Sequence, residues 1–311
     1  MNATFVMPHY SDHGRATGYL EAALEGLRAQ TDPDWRLVIV DDASPRAQDR
    51  AHLRERAAAS EGGIVLLQQE VNRGQGVCRN IGARWAEAQG SDIVLFHDAD
   101  DVSHPRRLEV TRRTFAEHPE VDFVYSPFVV IDESGHPVPE SQLTPSVREI
   151  LESHRDGPVE GSDAWIRMGL DTGYTTLTST VAVRTELAVA HPFPDVRGSE
   201  DMHTWFRMSA GGTCLVCLDE IPSRYRIPQN VTGSSDRARI GAPYYRRKAE
   251  VDTAGFLQAI GIALERERIG LAEVARLQNG FRRRLALTLQ REGQAELARE
   301  LLREEAAASV H

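Results

Sequence analysis

Of the 36 basic residues in this 311-residue sequence, only Lys248 is a lysine. Acidic residues outnumber basic ones, 46 to 36. No broad basic face is therefore available to neutralise a nucleic-acid backbone, and general DNA or RNA binding is excluded. Any phosphate must be met by a few local groups. Cysteine is scarce, three in all, which excludes a disulfide scaffold. Cys214 and Cys217 form a C-x-x-C, but a zinc site of that type needs a second ligand pair, and the strand-like setting reads as buried thiols. Long apolar runs are missing too: no segment approaches the ~20 residues that a membrane span requires. No basic stretch precedes the short apolar segment near the N-terminus, so the expected compartment is the cytoplasm, with peripheral attachment at the inner membrane face as a variant. At 41% hydrophobic and 26% charged the composition is that of an ordinary globular protein.

What the chain does have is alternation. Apolar β-branched runs at residues 5–7, 36–40, 64–68 and 93–96 read as strands, and the periodic segments 16–30, 47–60 and 76–88 between them read as helices. That order predicts an α/β fold with a mostly parallel sheet covered by helices on both faces. A helix over 108–118, one strand over 121–131 broken at Pro127, a helix near 147–153, a helical turn over 162–169, a strand over 177–183, a helix over 199–210 and a strand over 213–218 follow. The Gly-, Pro- and Ser-rich stretch 132–161 reads as a flap or insertion. After Tyr244 the pattern becomes purely helical, at 251–264, 271–290 and 295–308, with Gly270 and Gly293 as breaks.

In open parallel sheets, ligands bind beyond the carboxyl ends of the strands. Two acidic clusters fall there, Asp41-Asp42 and Asp98-Ala99-Asp100-Asp101. Like charges gathered at one edge need a compensating cation, and an oxygen-only ligand set suits Mg2+ or Mn2+. A single strand-end aspartate, by contrast, commonly does no more than cap a turn or helix.

Residues 5–10 (FVMPHY), 37–44 (LVIVDDAS), 72–74 (NRG), 78–83 (CRNIGA) and 95–101 (LFHDADD) resemble, in order and spacing, the nucleotide-binding half of family 2 glycosyltransferases with the GT-A fold. The resemblance continues through Gly198–Met202 and Tyr225-Arg226. It implies an inverting transferase that takes a sugar from a nucleotide sugar, most simply a UDP-sugar, to an acceptor hydroxyl. Pro8, Tyr10 and Asp42 would hold the base, with Arg79 close to the nucleotide. Asp98 would meet ribose or sugar and share the metal with Asp100. Glu200 would line the donor site, and Asp201 would be the catalytic base. With Ser199 as N-cap, Glu200 and Asp201 also simply complement a helix dipole. Relatives often place a metal-binding histidine where this chain has Pro228; His97 or the segment 230–241 are the candidates to replace it. Tyr174–Thr178 lies where sugar contacts are expected, whereas Trp165 and Trp205 read as core.

The expected domains are 1–103 for the nucleotide sugar, 104–243 for the acceptor and 244–311 as a helical appendage, packing on the rest or forming a homodimer. Arg282-Arg283-Arg284 would meet an acidic headgroup or, more ordinarily, form a solvated face. The acceptor is a small molecule, a lipid-linked intermediate or a polysaccharide, in surface-polymer or secondary-metabolite synthesis. Two other readings fit parts of the chain. D-x-D-x-V at 98–102 matches haloacid-dehalogenase-like phosphohydrolases, but their motif sits on the first strand and needs a later lysine. A non-catalytic sugar-nucleotide-binding scaffold would retain only the acidic site. A dinucleotide-binding loop at 74–79 lacks its third glycine.

Overall fold

The strand runs read from the sequence become a sheet because their side chains are apolar on both faces. In β1 (Ala3–His9) every residue is buried, as is all of β2 (Arg36–Asp41) after its first residue. The computed structural model describes residues 1–12, 16–60, 62–228 and 240–308. By internal contacts the chain divides into two units, the first being Met1–Pro137, Thr176–Arg197 and Val216–Ile227. The second comprises Val138–Thr175, Gly198–Leu215 and Pro228–His311.

In the first unit α1 (Ala16–Arg28) follows β1, and α2 (Ala47–Ala58) joins β2 to β3 (Ile64–Gln68). α3 (Gln75–Ala88) then leads to β4 (Ile93–Phe96), which α4 (Arg107–Glu117) follows. The short strands β5 (Phe123–Tyr125), β6 (Phe128–Ile131), β7 (Ala182–Arg184), β8 (Leu215–Cys217) and β9 (Ser223–Arg226) complete it. The seven-stranded sheet has the order β3-β2-β1-β4-β7-β5-β8. Its first four strands are mutually parallel, whereas β7 runs antiparallel to β4 and β5. β6 and β9 form a separate parallel pair.

Two expected strands are different. The run 121–131 is split at Ser126-Pro127 into β5 and β6, which belong to different sheets; a proline has no N–H for a ladder. The strand expected over 177–183 is mostly a tight turn, Thr178–Thr180, with only β7 extended. Its hydroxyls find nearer partners: Thr180 Oγ1 donates to Leu177 O at 2.7 Å, and Ser179 Oγ accepts from the Asp98 N–H at 2.9 Å.

The second unit is helical, with α5 (Pro145–Asp156), α6 (Glu200–Gly211), α7 (Ala242–Glu265), α8 (Leu271–Arg291) and α9 (Ala295–Ala308). A short helix, Ala164–Arg167, runs into a wide turn at Met168–Thr172. Its core is aromatic: Phe256 stacks on Phe281 at 4.4 Å between centroids, while Phe206 meets both edge-on and Trp165 packs on Phe256. Trp165 and Trp205 are buried, as expected. The C-terminal helices are present as expected, and Phe256 and Phe281 from them pack into this core. Arg284 turns inward, donating to the carbonyls of Asp171 and Thr172, to Glu149 and to Thr288 Oγ1. It serves packing, not a headgroup. Cys214 and Cys217 are half-buried and not disulfide-bonded, and the buried thiol is Cys78. Among the described residues no helix is long and apolar enough to cross a membrane.

α6 and α7 approach so closely at Gly255 that a Cβ there would lie 2.5 Å from His203 Cα. Gly255→Ala is therefore expected to cost about 1–3 kcal/mol. Gly261, on the same helix, has nothing within 4 Å of a built Cβ. Gly261→Ala should be neutral or stabilising by up to about 1 kcal/mol. Urea midpoints of the two variants at unchanged slope measure both.

Candidate functional site

The order of the parallel strands reverses between β1 and β4, the place where such sheets leave a crevice beyond their carboxyl ends. Pro8 and His9 close β1 opposite Val40 and Asp41. Tyr10 follows, 46% exposed, with its ring available at this edge. Asp41 is fully buried and accepts from Ser44 Oγ at 2.5 Å and from Gln68 Nε2 at 3.3 Å, with His9 Nδ1 at 3.5 Å. Burial raises its pKa, but the hydrogen bonds from His9, Ser44 and Gln68 together outweigh burial, and the net shift is downward. Asp42 is equally committed: Oδ1 accepts the Arg73 N–H at 2.8 Å and Oδ2 the Gly74 N–H at 2.7 Å. It pins the loop before α3, where Gly74 has φ 93°. Ala43 between Asp42 and Ser44 has φ 58°, a left-handed conformation held by these flanking bonds.

At the end of β4 the three aspartates have different partners. Asp98 accepts from Arg79 Nη2 at 2.7 Å, and its N–H is fixed by Ser179 Oγ. Arg79, 1% exposed, lies over the Phe193 ring at 5.3 Å. Asp101 accepts the Arg226 N–H at 2.7 Å, and Arg226 Nε and Nη1 hold the carbonyls of Asp100 and Asp132. The sequence marked Tyr225-Arg226 only as a matching pair. The structure gives Arg226 a task, bracing the acidic loop, as Ser179 does from the turn before β7. Nothing local in the sequence signals the Ser179 contact.

Asp100 is half-buried, and burial together with the neighbouring Asp98 charge pushes its pKa up to about 6. Among the described residues no group of three or more His, Cys, Asp or Glu side chains is gathered to hold a metal. Two carboxylates are what the strand edge offers, and they fit a hard divalent ion whose remaining ligands are water and phosphate oxygens. His97 does not add a third ligand. Its ring is fully buried beside Phe5, neither nitrogen has a hydrogen-bond partner, and burial with nearby Arg107 pushes its pKa down to about 3. Most of the segment 230–241 lies outside the described residues.

Glu200 and Asp201 open α6 in the second unit. Glu200 is 1% exposed, while Asp201 is more open and its Oδ1 accepts the Met202 N–H at 2.8 Å. Ser199 occupies the N-cap position but does not cap: it has φ 63°, and its hydroxyl donates instead to Asp252 Oδ1 at 2.6 Å. Tyr174 OH lies 2.6 Å from the same hydroxyl.

The model of Glycosyl transferase family 2 matches residues 4–171, more than half of the chain. The chain belongs to that family. It is 24% identical over 211 residues to an uncharacterized glycosyltransferase of Methanocaldococcus jannaschii, covering 68% of this chain and 66% of the relative. Over 107 residues it is 36% identical to the succinoglycan biosynthesis protein ExoW of Rhizobium meliloti, covering 34% of this chain and 31% of the relative. The chain thus spans 38% and 66% of the first two curated relatives it matches. S. aureus TarS 1-349, solved with UDP-GlcNAc, superposes with TM-score 0.57 at 17% identity, over 99% of this chain and 92% of that one. The mannosyltransferase PcManGT of Pyrobaculum calidifontis, solved with GDP-Man and Mn2+, gives 0.54 at 16%, over 97% and 85%. The fold is that of the GT-A glycosyltransferases.

Asp41 supplies the stability test of this edge. Its folded pKa lies below the ordinary value of 3.8, so its contribution is complete above that value and is lost as pH falls through the folded pKa. Asp41→Asn should cost about 1–3 kcal/mol near neutral pH. The difference from wild type, read by denaturation at several pH values, should shrink in acid.

Proposed function

We propose that the protein is an inverting, metal-dependent glycosyltransferase that uses a UDP-sugar. The supporting observation is the Asp98/Asp100 pair at the carboxyl end of β4, where burial and the Asp98 charge raise the Asp100 pKa despite the charges of Arg226 and Arg79. In this reading residues 1–103 bind the donor and residues 104–243 the acceptor. Pro8, Tyr10 and Asp42 border the nucleobase. Arg79 holds Asp98 in place and adds positive charge near the diphosphate. Bound by Asp98 and Asp100, Mn2+ or Mg2+ would supply neutralising charge to the departing diphosphate. Glu200 lines the donor side of the acceptor helix, and Asp201 is the base.

The reaction is a single displacement. The acceptor hydroxyl oxygen bonds to the anomeric carbon as Asp201 takes its proton, and the carbon–oxygen bond to the diphosphate breaks with its electrons leaving on oxygen. Attack opposite the leaving group inverts the anomeric centre. The proposed acceptors are precursors of a surface polysaccharide, as the biosynthetic name of ExoW supports, at the cytoplasmic side. Family membership leaves the phosphohydrolase reading without support. A binding-only scaffold differs from this proposal in one property, turnover.

Titration calorimetry with UDP, GDP and TDP, each with and without Mn2+, tests the donor. UDP should bind at least about tenfold more tightly with Mn2+, and Asp100→Asn should abolish that gain. No binding of any nucleoside diphosphate would overturn the reading. Asp201→Asn should bind UDP as wild type does and lose about 10²–10⁴-fold in transfer. Normal transfer by that variant would remove Asp201 from its role.

A further inference from the structure

The only lysine of the chain is buried in an ion pair of the second unit that donor binding does not explain. Lys248 and Asp252 sit one turn apart on α7, 5% and 3% exposed, and the ammonium donates to Asp252 Oδ2. The other carboxylate oxygen accepts the Ser199 hydroxyl proton at 2.6 Å. With that proton committed, the 2.6 Å contact between Tyr174 and Ser199 must run from the phenol to Ser199 Oγ. The Tyr174 ring in turn faces the Lys248 ammonium, 4.3 Å from its centroid. The four side chains close a loop in which every donor direction is fixed.

Burying a lysine and an aspartate carries a desolvation penalty that well-packed apolar residues would avoid, so stability alone does not account for the pair. Ser199 does account for it. A non-glycine residue at φ 63° stays there only when its surroundings hold it. A serine at an N-cap ordinarily bonds the amides of the first turn; this one spends its hydroxyl on Asp252. The two residues that follow are Glu200 and Asp201.

We infer that Lys248, Asp252 and Tyr174 are positioning residues that lock Ser199 in its left-handed turn and thereby aim the Asp201 carboxylate, an inference that rests on the proposed role of Asp201 as base. Because Ser199 immediately precedes Glu200 and Asp201, the loop acts on the residues that open α6. The ion pair is a mounting for the base.

Two variants of the full chain separate mounting from mere stability. Ser199→Gly keeps the left-handed turn accessible, removes the tether and changes no charge. Lys248→Met/Asp252→Leu removes both charges at once, leaving net charge unchanged and an apolar core in place of the pair. The readout is the ¹³C carboxyl resonance of Asp201, assigned by its loss in Asp201→Asn and followed through a pH titration. The ionisable groups around Tyr174 are Lys248, Asp252, Asp201 and Tyr244, with Glu200 adjacent in sequence to Asp201. In both variants the Asp201 midpoint should move by about half a unit or more. The double variant should melt close to wild type, so that a shift cannot be blamed on unfolding. With UDP-GlcNAc as probe, kcat for UDP release should fall about tenfold or more in both variants. An unmoved Asp201 resonance in both folded variants overturns the inference. Wild-type turnover by Asp201→Asn would instead overturn the base assignment, while the resonance still decides whether the tether aims that side chain.

Discussion

Carboxylates crowded at the end of a parallel sheet need hydrogen-bond donors or cations, and the first unit is arranged around that demand. Asp41 is met by Ser44, Gln68 and His9, Asp42 by two backbone amides, Asp98 by Arg79 and Asp101 by the Arg226 amide. Each of these bonds also fixes a loop, so the charges organise the edge they threaten. Asp100 stands apart, its carboxyl eased mainly by its own backbone N–H and by the more distant charges of Arg226 and Arg79. Two neighbouring carboxylates, Asp98 and Asp100, thus differ in how they are met, the first by a guanidinium and the second chiefly by backbone.

Much of this edge could be read without coordinates. The strands at 64–68 and 93–96 fall where the apolar runs place them, and the clusters Asp41-Asp42 and Asp98–Asp101 terminate strands as expected. Strong period-two and period-3.6 patterns survive folding because burial enforces them. What the pattern hid lies in contacts between segments far apart in sequence. Ser199 looks like a helix cap and is a tether, since Asp252, 53 positions on, competes for its hydroxyl. Arg284 looks like a member of a solvated basic run and instead seals the turn at Met168–Thr172. His97 looks like a spare ligand beside an acidic motif, yet the backbone at the end of β4 turns its ring into the core.

The second unit follows a different rule from the first. Its helices are held by an aromatic stack and by close backbone approach at glycine, with Gly169 leaving room for the Phe256 ring just as Gly255 does for His203. Such contacts have no periodic signature; a glycine in a helix reads as a weakness until its neighbour is known. The helices after Tyr244 consequently read as an addition to the chain, although α7 packs on α6 at Gly255 and holds Ser199, just before its acids, through Asp252.

Lys248 has one more consequence. An amine-directed reagent finds a single side chain in this protein, and that amine is shielded by Asp252 and Tyr174. Its rate of modification therefore counts how often α7 parts from its neighbours. The chain carries a built-in clock for the opening of its own helical unit, with no label to be engineered.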